Sequence, residues 1–505
     1  MRVLYIAAEC KPFSKAGGVG DVAGELPPAL KAAGVDVEIV TPWYGKTNID
    51  DYGLEFNGLK QRIGVIPAEL RGVPVHFVKN AAHFESDYTS PKVRRPPVLD
   101  PHVYTKDYST PYVDSEKYPF LDDALRFSFF SEACLEIVRR RKPDIVHIND
   151  WVLGYLFGRM VQNGLTAKRV ISIHNIGYQG NLGTNRIRGW TVESILFDPR
   201  LGPMFTDPRP EWESINPLKL AIELAHQVNT VSPTYKREMT EGEDQSRYFE
   251  GGKGLDPYTR RADSEGRLHG ILNGFEYAAE PTAAKFESLL AEKAAARAAL
   301  VGEFRKPVEF VLGFVGRAVE QKFKLLAEKV DGKSVLEHLL DIPGVGVSVV
   351  ATGQKEYEAF LKGLSTRPNL AVTLAFDRVK AKQISLGADV FLMPSLFEPC
   401  GITQMESLSC ATPPLVRWTG GLVDTVRPHT AADGTGFGFD GATQADVLRN
   451  LIAAVLSARE LFTSAPEKFR ELQRRGYQER FSWKAAAKQY VSDVYEPAMK
   501  ANAAI

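Results

Sequence analysis

The sequence predicts an α/β fold made of two Rossmann-like domains, each with a doubly wound parallel sheet, that face a deep cleft. The chain has 505 residues, which is too many for a single hydrophobic core. Short runs rich in Val and Ile alternate with helical stretches, a pattern typical of parallel sheets covered by helices on both faces. The same alternation begins anew near residue 306, so we expect a second domain of the same kind there.

Val- and Ile-rich runs in the first half predict its strands. They cover residues 3–8, 35–40, 73–78, 144–148, 170–174 and 228–232. Residues 84–117 and 196–212 show little periodicity, and we interpret both stretches as long surface loops. We favour the interpretation that these two loops are variable insertions over the alternative that they bind substrate.

The second half follows a stretch rich in Ala, Glu and Lys at residues 283–305. Its predicted strands cover residues 308–315, 347–352, 370–374, 390–393 and 414–418. We therefore place a first domain at residues 1–280, a linker region at 281–305 and a second domain at 306–475. Helical periodicity from residue 466 to 501 is interrupted at Phe481-Ser482-Trp483.

The charge balance and cysteine usage exclude several classes of protein. Lys plus Arg equals Asp plus Glu at 62 each, which argues against nucleic acid or an anionic membrane as the main partner. The four cysteines lack C-x-x-C spacing, so neither a zinc site nor a disulfide framework is indicated. With no signal segment and no apolar run of about 18 residues, we expect a soluble cytoplasmic protein.

A lysine and a glycine turn follow the first predicted strand. Lys15, Gly17 and Gly18 stand at the carboxyl end of that strand, where open α/β sheets bind ligands. Glycines let the backbone approach a bound group, and a helix start offers free N–H donors to an anion. The loop would suit a sugar nucleotide, although a structural turn explains it equally well when it is taken alone.

The segment 393–406 follows a buried strand and opens a helix near Gly401. Glu398 lies in the turn and Glu406 lies in the helix, so we expect both carboxylates near the cleft. Carboxylates accept hydrogen bonds from sugar hydroxyls, and the backbone N–H groups of this turn would point at the bound group. The alternative makes Glu398 a helix cap and Glu406 an ordinary solvated glutamate.

Further polar residues follow other predicted strands. Arg317 and Lys322 set two cations beside one loop, which can hold a diphosphate and neutralise charge as it leaves, although two solvated surface cations are the alternative. The turn Thr419-Gly420-Gly421 suits close approach to a phosphate or ribose. His174-Asn175 and Asp150 end strands of the first sheet, and Asn273 adds an amide near the hinge.

Short motifs combine these loops with other segments of the chain. They are Lys15-Ala16-Gly17-Gly18, His174-Asn175, Val231-Ser232-Pro233-Thr234-Tyr235, Ile271-Leu272-Asn273-Gly274, Arg317 with Lys322, Glu398-Pro399-Cys400-Gly401 and Thr419-Gly420-Gly421-Leu422. Taken together, these motifs make nearly the whole chain resemble the bacterial glycogen synthase and plant starch synthase family. Members of this family are glycosyltransferases of the GT-B fold that retain the anomeric configuration. The resemblance implies transfer of glucose from ADP-glucose to the non-reducing end of an α-1,4-glucan. It also implies that a C-terminal helix, residues 476–505, crosses back to the first domain.

The resemblance further implies a role for each motif residue. Lys15 and the Gly17 and Gly18 backbone would face the donor diphosphate, with Arg317 and Lys322 reaching it from the second domain. His174, Asn273 and Glu398 would bind the donor glucose, helped by the Cys400 and Gly401 backbone. Asp150 would lie near the anomeric carbon or the acceptor, and Phe376 would stack on adenine. The remaining substrate-binding residues would be Asn175, Ile402, Thr403, Glu406, Thr419, Gly420 and Gly421.

The chain departs from the family pattern at four motifs. The departures are Val152 after Asp150-Trp151, Phe323 after Gln321-Lys322, Phe275-Glu276 after Asn273-Gly274, and Ala351 and Gln354 around Thr352-Gly353. They concern acceptor binding and rate more than the reaction itself. Glu406 stands at a position where bacterial members of the family often have tyrosine. Other GT-B families have a glutamate there that binds the ribose. Whether the donor nucleotide is ADP or UDP therefore stays open.

The chain contains no D-x-D arrangement. Other glycosyltransferases use this motif to hold a metal ion on the diphosphate. We therefore expect no metal and no cofactor, with Lys15, Arg317, Lys322 and helix N-termini stabilising the leaving group. The expected partners are ADP-glucose and glycogen. Two alternatives stay open: a related GT-B enzyme that uses UDP-glucose or another acceptor, and a glucan- or nucleotide-binding protein that has lost turnover.

Overall fold

The computed structural model describes residues 1–15, 17–44, 54–58, 61–80, 84, 121–183, 200–209 and 214–502. Within these ranges the chain forms two α/β units, each built on a mainly parallel sheet. No helix described there is both long and apolar enough to cross a membrane. Apart from Phe84, the predicted loop at residues 84–117 lies outside the described residues.

The first unit carries a sheet that is parallel except for an antiparallel ribbon at one edge. Its strands and one separate short pair are β1 (Arg2–Ile6), β2 (Asp36–Pro42), β3 (Leu54–Gly58), β4 (Gln61–Leu70), β5 (Val73–Lys79), β6 (Ile145–Asn149), β7 (Lys168–Ile173), β8 (Leu182–Gly183), β9 (Ser214–Ile215), β10 (Gln227–Thr230) and β11 (Leu268–Gly270). The sheet order is β11-β10-β7-β6-β1-β2-β5-β4-β3. The order of the parallel strands reverses between β1 and β6, so a crevice forms at their carboxyl ends.

Helices cover both faces of this sheet. They are α1 (Gly18–Ala32), α2 (Leu121–Arg141), α3 (Gly154–Gln162), α4 (Gly202–Phe205), α5 (Pro217–Leu224), α6 (Pro233–Glu238) and α7 (Asp256–Ser264). Alternate residues of β1 enter different cores: Leu4 packs with α2, α3 and α5 on one face, and Tyr5 packs with α1 on the other. Burial on both faces explains why these strands are continuous apolar runs.

The second unit repeats this design with a fully parallel sheet. Its strands and one short hairpin are β12 (Phe310–Ala318), β13 (Lys329–Val330), β14 (Lys333–Ser334), β15 (Val345–Gly353), β16 (Leu370–Thr373), β17 (Val390–Met393), β18 (Pro414–Arg417) and β19 (Phe437–Phe439). The sheet order is β16-β15-β12-β17-β18-β19. Here the order reverses between β12 and β17, which places a second crevice at the ends of these two strands.

Helices of the second unit begin in the stretch predicted as a linker. They are α8 (Ala283–Val301), α9 (Glu320–Ala327), α10 (Val335–Asp341), α11 (Lys355–Leu364), α12 (Arg378–Gly387), α13 (Thr403–Ser409), α14 (Gly421–Thr425), α15 (Gln444–Ser464) and α16 (Pro466–Gln478). Helix α8 is held on this unit by buried Lys293, whose Nζ donates to the carbonyl oxygens of Leu386 at 2.8 Å and Ala388 at 2.6 Å. The stretch from 283 to 301 is thus a packed helix.

The end of the chain returns to the first unit. Helix α17 (Trp483–Gln489), a π-helical turn (Tyr490–Tyr495) and α18 (Glu496–Lys500) pack beside α1 on the first sheet. The Tyr495 hydroxyl lies 2.7 Å from Nδ1 of buried His147 in β6. Nδ2 of Asn229 in β10 donates to the Tyr490 hydroxyl at 2.8 Å. These buried hydrogen bonds fix the position of the last helices on the sheet.

The strand positions predicted from Val and Ile runs are confirmed, with ends that shift by a few residues. The sequence prediction missed the ribbon β3–β4 and the short strands β11 and β19. The surface-loop prediction for 196–212 is wrong in its described part. Phe205 of α4 and the preceding Leu201 are fully buried in the first core, because this short helix packs against α5 and the ring of Phe205 contacts Tyr155 of α3.

Candidate active site

Asn149 ends β6 and fixes the hydrogen-bonding state of His174. Its Nδ2 donates to the Ile6 carbonyl oxygen at 3.0 Å, so its Oδ1 faces the other way as an acceptor. This Oδ1 accepts from the Tyr5 hydroxyl at 2.9 Å and lies 2.9 Å from Nε2 of His174. Nε2 therefore carries the hydrogen and Nδ1 keeps its lone pair. Burial lowers the pKa of His174 to about 4, so the imidazole is neutral at pH 7 and can accept a hydrogen bond from a sugar hydroxyl.

Asp150 follows Asn149 in a conformation that is rare for a residue with a side chain. Its φ is 56°, and such strained residues are concentrated at functional sites. Its Oδ1 accepts a hydrogen bond from the His174 backbone N–H at 2.7 Å, which ties the ends of β6 and β7 together. Burial raises the pKa of Asp150 to about 7, although hydrogen bonds from the backbone N–H groups of His174 and Asn175 oppose this shift.

The glycine loop stands beside these residues at the start of α1. The Gly17 N–H donates to Oε2 of buried Glu9 at 3.0 Å, so this donor is engaged within the protein. Helix α1 begins at Gly18 without a side-chain cap, and a Cβ on Gly18 would meet no atom within 4 Å. Nζ of Lys15 lies 2.5 Å from Asp21 and its side chain is 45% exposed. Lys15 and Gly18 are therefore accessible from the cleft.

At the second sheet, Lys322 and Glu398 form an ion pair across the crevice between β12 and β17. The Ser395 hydroxyl also donates to Oε2 of Glu398 at 3.1 Å, and the carboxylate is buried. Gln321 holds the two loops together, because its Nε2 donates to the Phe397 carbonyl oxygen at 3.0 Å. Glu398 does not cap α13, whose N-terminus has no side-chain cap. The cap alternative for Glu398 is therefore wrong.

Arg317 is the last residue but one of β12, lies in the same crevice and is exposed. None of the described acidic side chains forms an ion pair or hydrogen bond with its guanidinium. An exposed, uncompensated arginine beside Lys322 is suited to bind a phosphate group, because its planar fork can donate two parallel hydrogen bonds.

The turn before α13 brings further predicted residues to the cleft. Gly401 has a φ of 73°, and a Cβ there would lie 2.4 Å from Oε1 of Gln404, so the turn requires glycine. Ile402 and Thr403 follow at the helix start and are partly buried. Burial raises the pKa of Glu406, and Lys15 of the first unit opposes this shift. Lys15 and Glu406 thus lie close enough across the cleft to interact, and Glu406 is not an ordinary solvated glutamate.

Asn273 connects the first unit to the loop that contains Glu398. Its backbone N–H lies near the thiol of buried Cys400 and opposes the rise that burial causes in the pKa of that thiol, to about 12. Its side-chain Oδ1 is buried and accepts no hydrogen bond from any described residue. A buried polar atom normally has a partner, so this oxygen is a candidate acceptor for a ligand hydroxyl.

The turn Thr419-Gly420-Gly421 is occupied by protein groups. Oε1 of Glu238 in α6 accepts from the Gly420 N–H at 2.8 Å and from the Thr419 hydroxyl at 3.2 Å. The Gly421 N–H donates to the Glu398 carbonyl oxygen at 3.0 Å. Burial raises the pKa of Glu238 to about 7. In this structure the turn joins the two units and supports the Glu398 loop.

Phe376 and Asn175 lie at the margins of the site. Phe376 follows β16 with 70% of its surface exposed and lies 5.6 Å from the Arg378 guanidinium. An exposed aromatic ring of this kind can stack on a base. Oδ1 of Asn175 accepts from the Gly177 N–H at 2.9 Å, so Asn175 shapes the loop after His174.

Two departures from the family pattern are explained by packing. Val152 is buried in the short 3-10 helix after Asp150, and Phe323 is buried against Phe314 and Tyr357. Both side chains serve the cores of their units. Gln354 instead accepts from the Glu320 N–H at 2.8 Å at the rim of the cleft.

Three residues of the site were missed by sequence reasoning. Asn149 directly precedes Asp150 at a strand end, so its position was a usable signal. Glu250 precedes the glycine-rich run Gly251-Gly252-Lys253-Gly254, which is a weaker signal. Glu238 gave no signal, because nothing in its local sequence distinguishes it from a glutamate on the protein surface. Among the described residues no cluster of His, Cys, Asp and Glu is suited to a metal ion.

Comparison with known protein families matches most of the chain in two parts. Residues 2–261 match the starch synthase catalytic domain, and residues 303–475 match the glycosyl transferases group 1. A glycogen synthase of Koribacter versatilis is 34% identical, covering 100% of this chain and 99% of its own. A glycogen synthase of Myxococcus xanthus is 33% identical and covers 97% of this chain and 98% of its own.

Solved structures show the same arrangement. The catalytic domain of starch synthase IV from Arabidopsis thaliana, bound to ADP and acarbose, is 26% identical with a TM-score of 0.74 over 99% of both chains. Sucrose-phosphate synthase from Thermosynechococcus elongatus is 18% identical with a TM-score of 0.56, over 99% of this chain and 100% of its own. At that identity the likeness concerns the fold alone.

Proposed function

The chain belongs to the starch and glycogen synthase family of glycosyltransferases and has the GT-B fold, and we propose that its donor is ADP-glucose and its acceptor an α-1,4-glucan. The reaction joins glucose to the non-reducing end of the acceptor with retention of configuration. Support comes from the glycogen synthases that match nearly full length and from the starch synthase IV domain bound to ADP and acarbose.

The observation that carries the proposal is the pairing of two strand-end sites across one cleft. The second unit offers exposed Arg317 beside the Lys322–Glu398 ion pair, a combination of cations and carboxylate that suits a sugar diphosphate. The first unit offers the acceptor nitrogen of neutral His174 and the Asp150 carboxyl. Hydrogen bonds from the Ser232 hydroxyl to the Pro399 carbonyl oxygen and from the Gly420 N–H to Glu238 join the two units beside these groups, so the two halves face the same space.

The residues divide the chemistry between charge and orientation. When the bond between the anomeric carbon and the diphosphate oxygen breaks, negative charge grows on the diphosphate, and Arg317, Lys322 and Lys15 stabilise it. Positive charge grows at the anomeric carbon, where an ionised Asp150 is stabilising. The acceptor hydroxyl attacks from the face that ADP leaves, passes its proton to the leaving phosphate and so retains the configuration. Closure of the cleft excludes water, which would hydrolyse the sugar.

We propose that the reaction needs neither a metal nor a cofactor, because arginine and lysine side chains supply the positive charge at the diphosphate. We also propose a cytoplasmic location, which four cysteines without disulfide partners favour. Activity that is unchanged in excess chelator supports the first statement. Activity lost in chelator and restored by magnesium contradicts it.

The test is transfer from ADP-glucose and UDP-glucose to glycogen, measured side by side with ADP or UDP release in the absence of glycogen. We expect turnover with ADP-glucose and at least tenfold less with UDP-glucose. A preference for UDP-glucose would show that the donor is UDP-glucose. Nucleotide binding without transfer from either donor would contradict the proposal that the protein is an enzyme.

A further inference from the structure

Tyr5 of the first strand reaches the candidate active site through a shared hydrogen-bond acceptor. Its side chain is fully buried on the face of the first sheet that α1 and the C-terminal helices cover. Its hydroxyl donates to Oδ1 of Asn149 at 2.9 Å, and the same oxygen lies 2.9 Å from Nε2 of His174. Both lone pairs of this amide oxygen are therefore engaged, one by Tyr5 and the other by His174.

The amide of Asn149 has one orientation that satisfies its neighbours. Nδ2 donates to the Ile6 carbonyl oxygen at 3.0 Å, and a rotated amide would place two acceptor oxygens against each other there. Burial raises the pKa of the Tyr5 hydroxyl well above its ordinary value, so this group stays protonated and remains a donor at neutral pH. The acceptor that His174 meets is thus fixed from two sides, and Asn149 itself is buried.

The end of the chain supports Tyr5 in turn. The Tyr5 ring packs edge-to-face against His147, with 4.8 Å between the ring centroids and 73° between the planes. Nδ1 of His147 lies 2.7 Å from the Tyr495 hydroxyl, and Nε2 lies 2.8 Å from the Ser172 hydroxyl. With both nitrogens engaged, the His147 ring is fixed and gives Tyr5 a rigid surface to pack on. Buried groups from β1, β6, β7 and the C-terminal turn therefore support the amide of Asn149.

The position of the proton on His174 decides what its ring can do for a substrate. Burial lowers the pKa of His174 to about 4, so at pH 7 the ring is neutral and has a single N–H. With the proton on Nε2, Nδ1 accepts. With the proton on Nδ1, that atom donates instead and no longer binds the hydrogen of a sugar hydroxyl. None of the described residues hydrogen-bonds to Nδ1, so the acceptor at Nε2 is the contact that selects the tautomer.

We propose that Asn149 is a positioning residue for the transfer reaction: its amide oxygen, held by Ile6 and Tyr5, keeps the proton of His174 on Nε2 and so presents Nδ1 to the donor sugar as an acceptor. The contact between His174 and the sugar rests on the proposed function. The location of the proton does not, because it follows from contacts within the first unit. The two parts are therefore tested by separate measurements.

The first measurement locates the proton by ¹⁵N NMR of the histidine side chains in the full chain between pH 5.5 and pH 8. The His174 signals are those that His174→Gln lacks. We expect the neutral Nε2–H form in the unsubstituted protein. In Asn149→Leu a buried Nε2–H would have no acceptor, so the proton should move at least partly to Nδ1. In Asn149→Asp the new carboxylate favours the imidazolium, so protonation of His174 should become visible at the acid end of this range.

Turnover with ADP-glucose and glycogen, recorded together with melting curves, tests the effect on the reaction. Asn149→Leu should lower kcat about tenfold or more, equivalent to about 1.4 kcal/mol. Its KM for ADP-glucose should stay within about threefold, because other residues hold the diphosphate. It should also lower the melting temperature, since the Tyr5 hydroxyl loses its acceptor.

Two further variants separate the tautomer from stability. The double variant of Tyr5→Phe with Asn149→Leu removes the hydroxyl that lacks an acceptor, so it should recover part of the melting temperature and none of the turnover. Tyr5→Phe alone keeps the acceptor for His174 and is the matched control. Its kcat should stay within about threefold of that of the unsubstituted protein, and its His174 proton should stay on Nε2.

A His174 proton that stays on Nε2 in Asn149→Leu would overturn the proposal, as would unchanged kcat in that variant once the proton has moved. Recovery of kcat along with melting temperature in the double variant would show that the effect of Asn149 is structural. A loss in Tyr5→Phe as large as in Asn149→Leu, with the proton still on Nε2, would assign the effect to the tyrosine hydroxyl instead.

If Asn149→Leu does not fold, Asn149→Asp decides: a His174 that stays neutral down to pH 5.5 in this variant contradicts the contact, and one that becomes protonated supports it. Absence of transfer from either nucleotide sugar by the unsubstituted protein contradicts the proposed function. The NMR measurement still decides where the proton lies in that case, so the two failures are distinguishable.

Discussion

At the scale of single residues, the ion pair between Lys322 and Glu398 changes how each residue acts. The sequence suggests separate contacts, Lys322 with the diphosphate and Glu398 with the donor sugar. The structure shows that they neutralise each other at the end of the second sheet. Each therefore also orients the other, and a substitution of either residue alters two contacts at once.

The Glu398→Gln substitution separates a role in catalysis from a role in folding. Glutamine keeps the size of the side chain and can still accept from Lys322 and Ser395, but it removes the negative charge. We expect turnover to fall by about a hundredfold, since one preorganised electrostatic contact contributes roughly 3 kcal/mol. The melting temperature should change little, because Glu398 does not cap α13. Transfer within about threefold of normal, together with a melting temperature lower by a few degrees, would remove Glu398 from the site.

Arg317 and Lys322 should respond differently to substitution with alanine. Both variants should lose at least about a hundredfold in turnover if they stabilise the leaving diphosphate. Arg317→Ala removes an exposed side chain and should leave the melting temperature unchanged. Lys322→Ala strips buried Glu398 of its partner and should also cost about 1–3 kcal/mol of stability. Near-normal turnover of either folded variant contradicts its assignment to the diphosphate, and melting curves recorded with the kinetics provide the control.

Asp150 makes stability depend on pH in a direction that can be worked out. Burial raises its pKa from 3.8 to about 7 in the folded state. Below about pH 3 the group is protonated in both states and has no effect. As the pH rises toward 7 it ionises first in the unfolded chain, so folding is penalised increasingly up to pH 7 and constantly above it.

The Asp150→Asn substitution removes this penalty and keeps an oxygen that accepts from the His174 N–H. Its melting temperature should exceed that of the unsubstituted protein at pH 8 and converge with it near pH 4. Transfer activity should be strongly reduced, because the substitution removes the charge that the proposed mechanism places near the anomeric carbon. A melting difference of the same size at pH 4.5 and pH 8 would show that Asp150 is not a buried acid with a raised pKa.

At the scale of elements, the sequence predicts the strands well because both faces of each sheet are buried. It also predicts which loops carry the chemistry, since polar residues after parallel strands meet at one edge of a sheet. The ribbon β3–β4 carries a turn signal at Asn57-Gly58, but its branched apolar run is only Ile63-Gly64-Val65-Ile66, interrupted by glycine, and the prediction passed over it. Glu238 and Glu250 join the site through contacts between distant segments, and no local pattern specifies such contacts.

The turn at Gly420 supports the Glu398 loop through its backbone shape. Gly420 has a φ of 47°, and a Cβ there would lie 2.0 Å from the Glu398 carbonyl oxygen. Gly420→Ala should therefore lower the melting temperature and also reduce turnover, because the Glu398 loop must move. The matched control is Gly363→Ala in helix α11, where a Cβ meets no atom within 4 Å and the helix should gain about 1 kcal/mol. Equal melting temperatures and turnover in the two variants would contradict this account of the turn.

At the scale of the whole molecule, neither unit carries a complete site. Each sheet supplies the residues at its own strand-order reversal, and hydrogen bonds join the two units. Buried Arg417 of β18 donates to the carbonyl oxygens of Arg247 at 2.6 Å and Tyr248 at 2.9 Å, and further contacts come from the start and end of α6. Ser232 donates to the Pro399 carbonyl oxygen at 2.6 Å, and Glu238 binds the Gly420 turn. These contacts reach the same loop that carries Glu398, so the relative position of the units and the geometry of the site are coupled.

Thr234 and Asp424 offer the clearest measurement of that coupling. The carboxylate of Asp424 in α14 accepts from the Thr234 backbone N–H at 2.8 Å and from its hydroxyl at 2.8 Å. Asp424→Ala removes both hydrogen bonds between the units. Thr234→Val keeps the shape of the side chain and removes the second of them, together with the hydrogen bond that the Thr234 hydroxyl accepts from Arg237 at 2.7 Å within the first unit. We expect Asp424→Ala to lose about 1–3 kcal/mol and Thr234→Val to lose less. The double variant should lose less than the sum of the two, because the hydroxyl contact is shared, with a coupling of at least about 0.5 kcal/mol. Additive losses in chemical denaturation would show that this contact does not hold the units together.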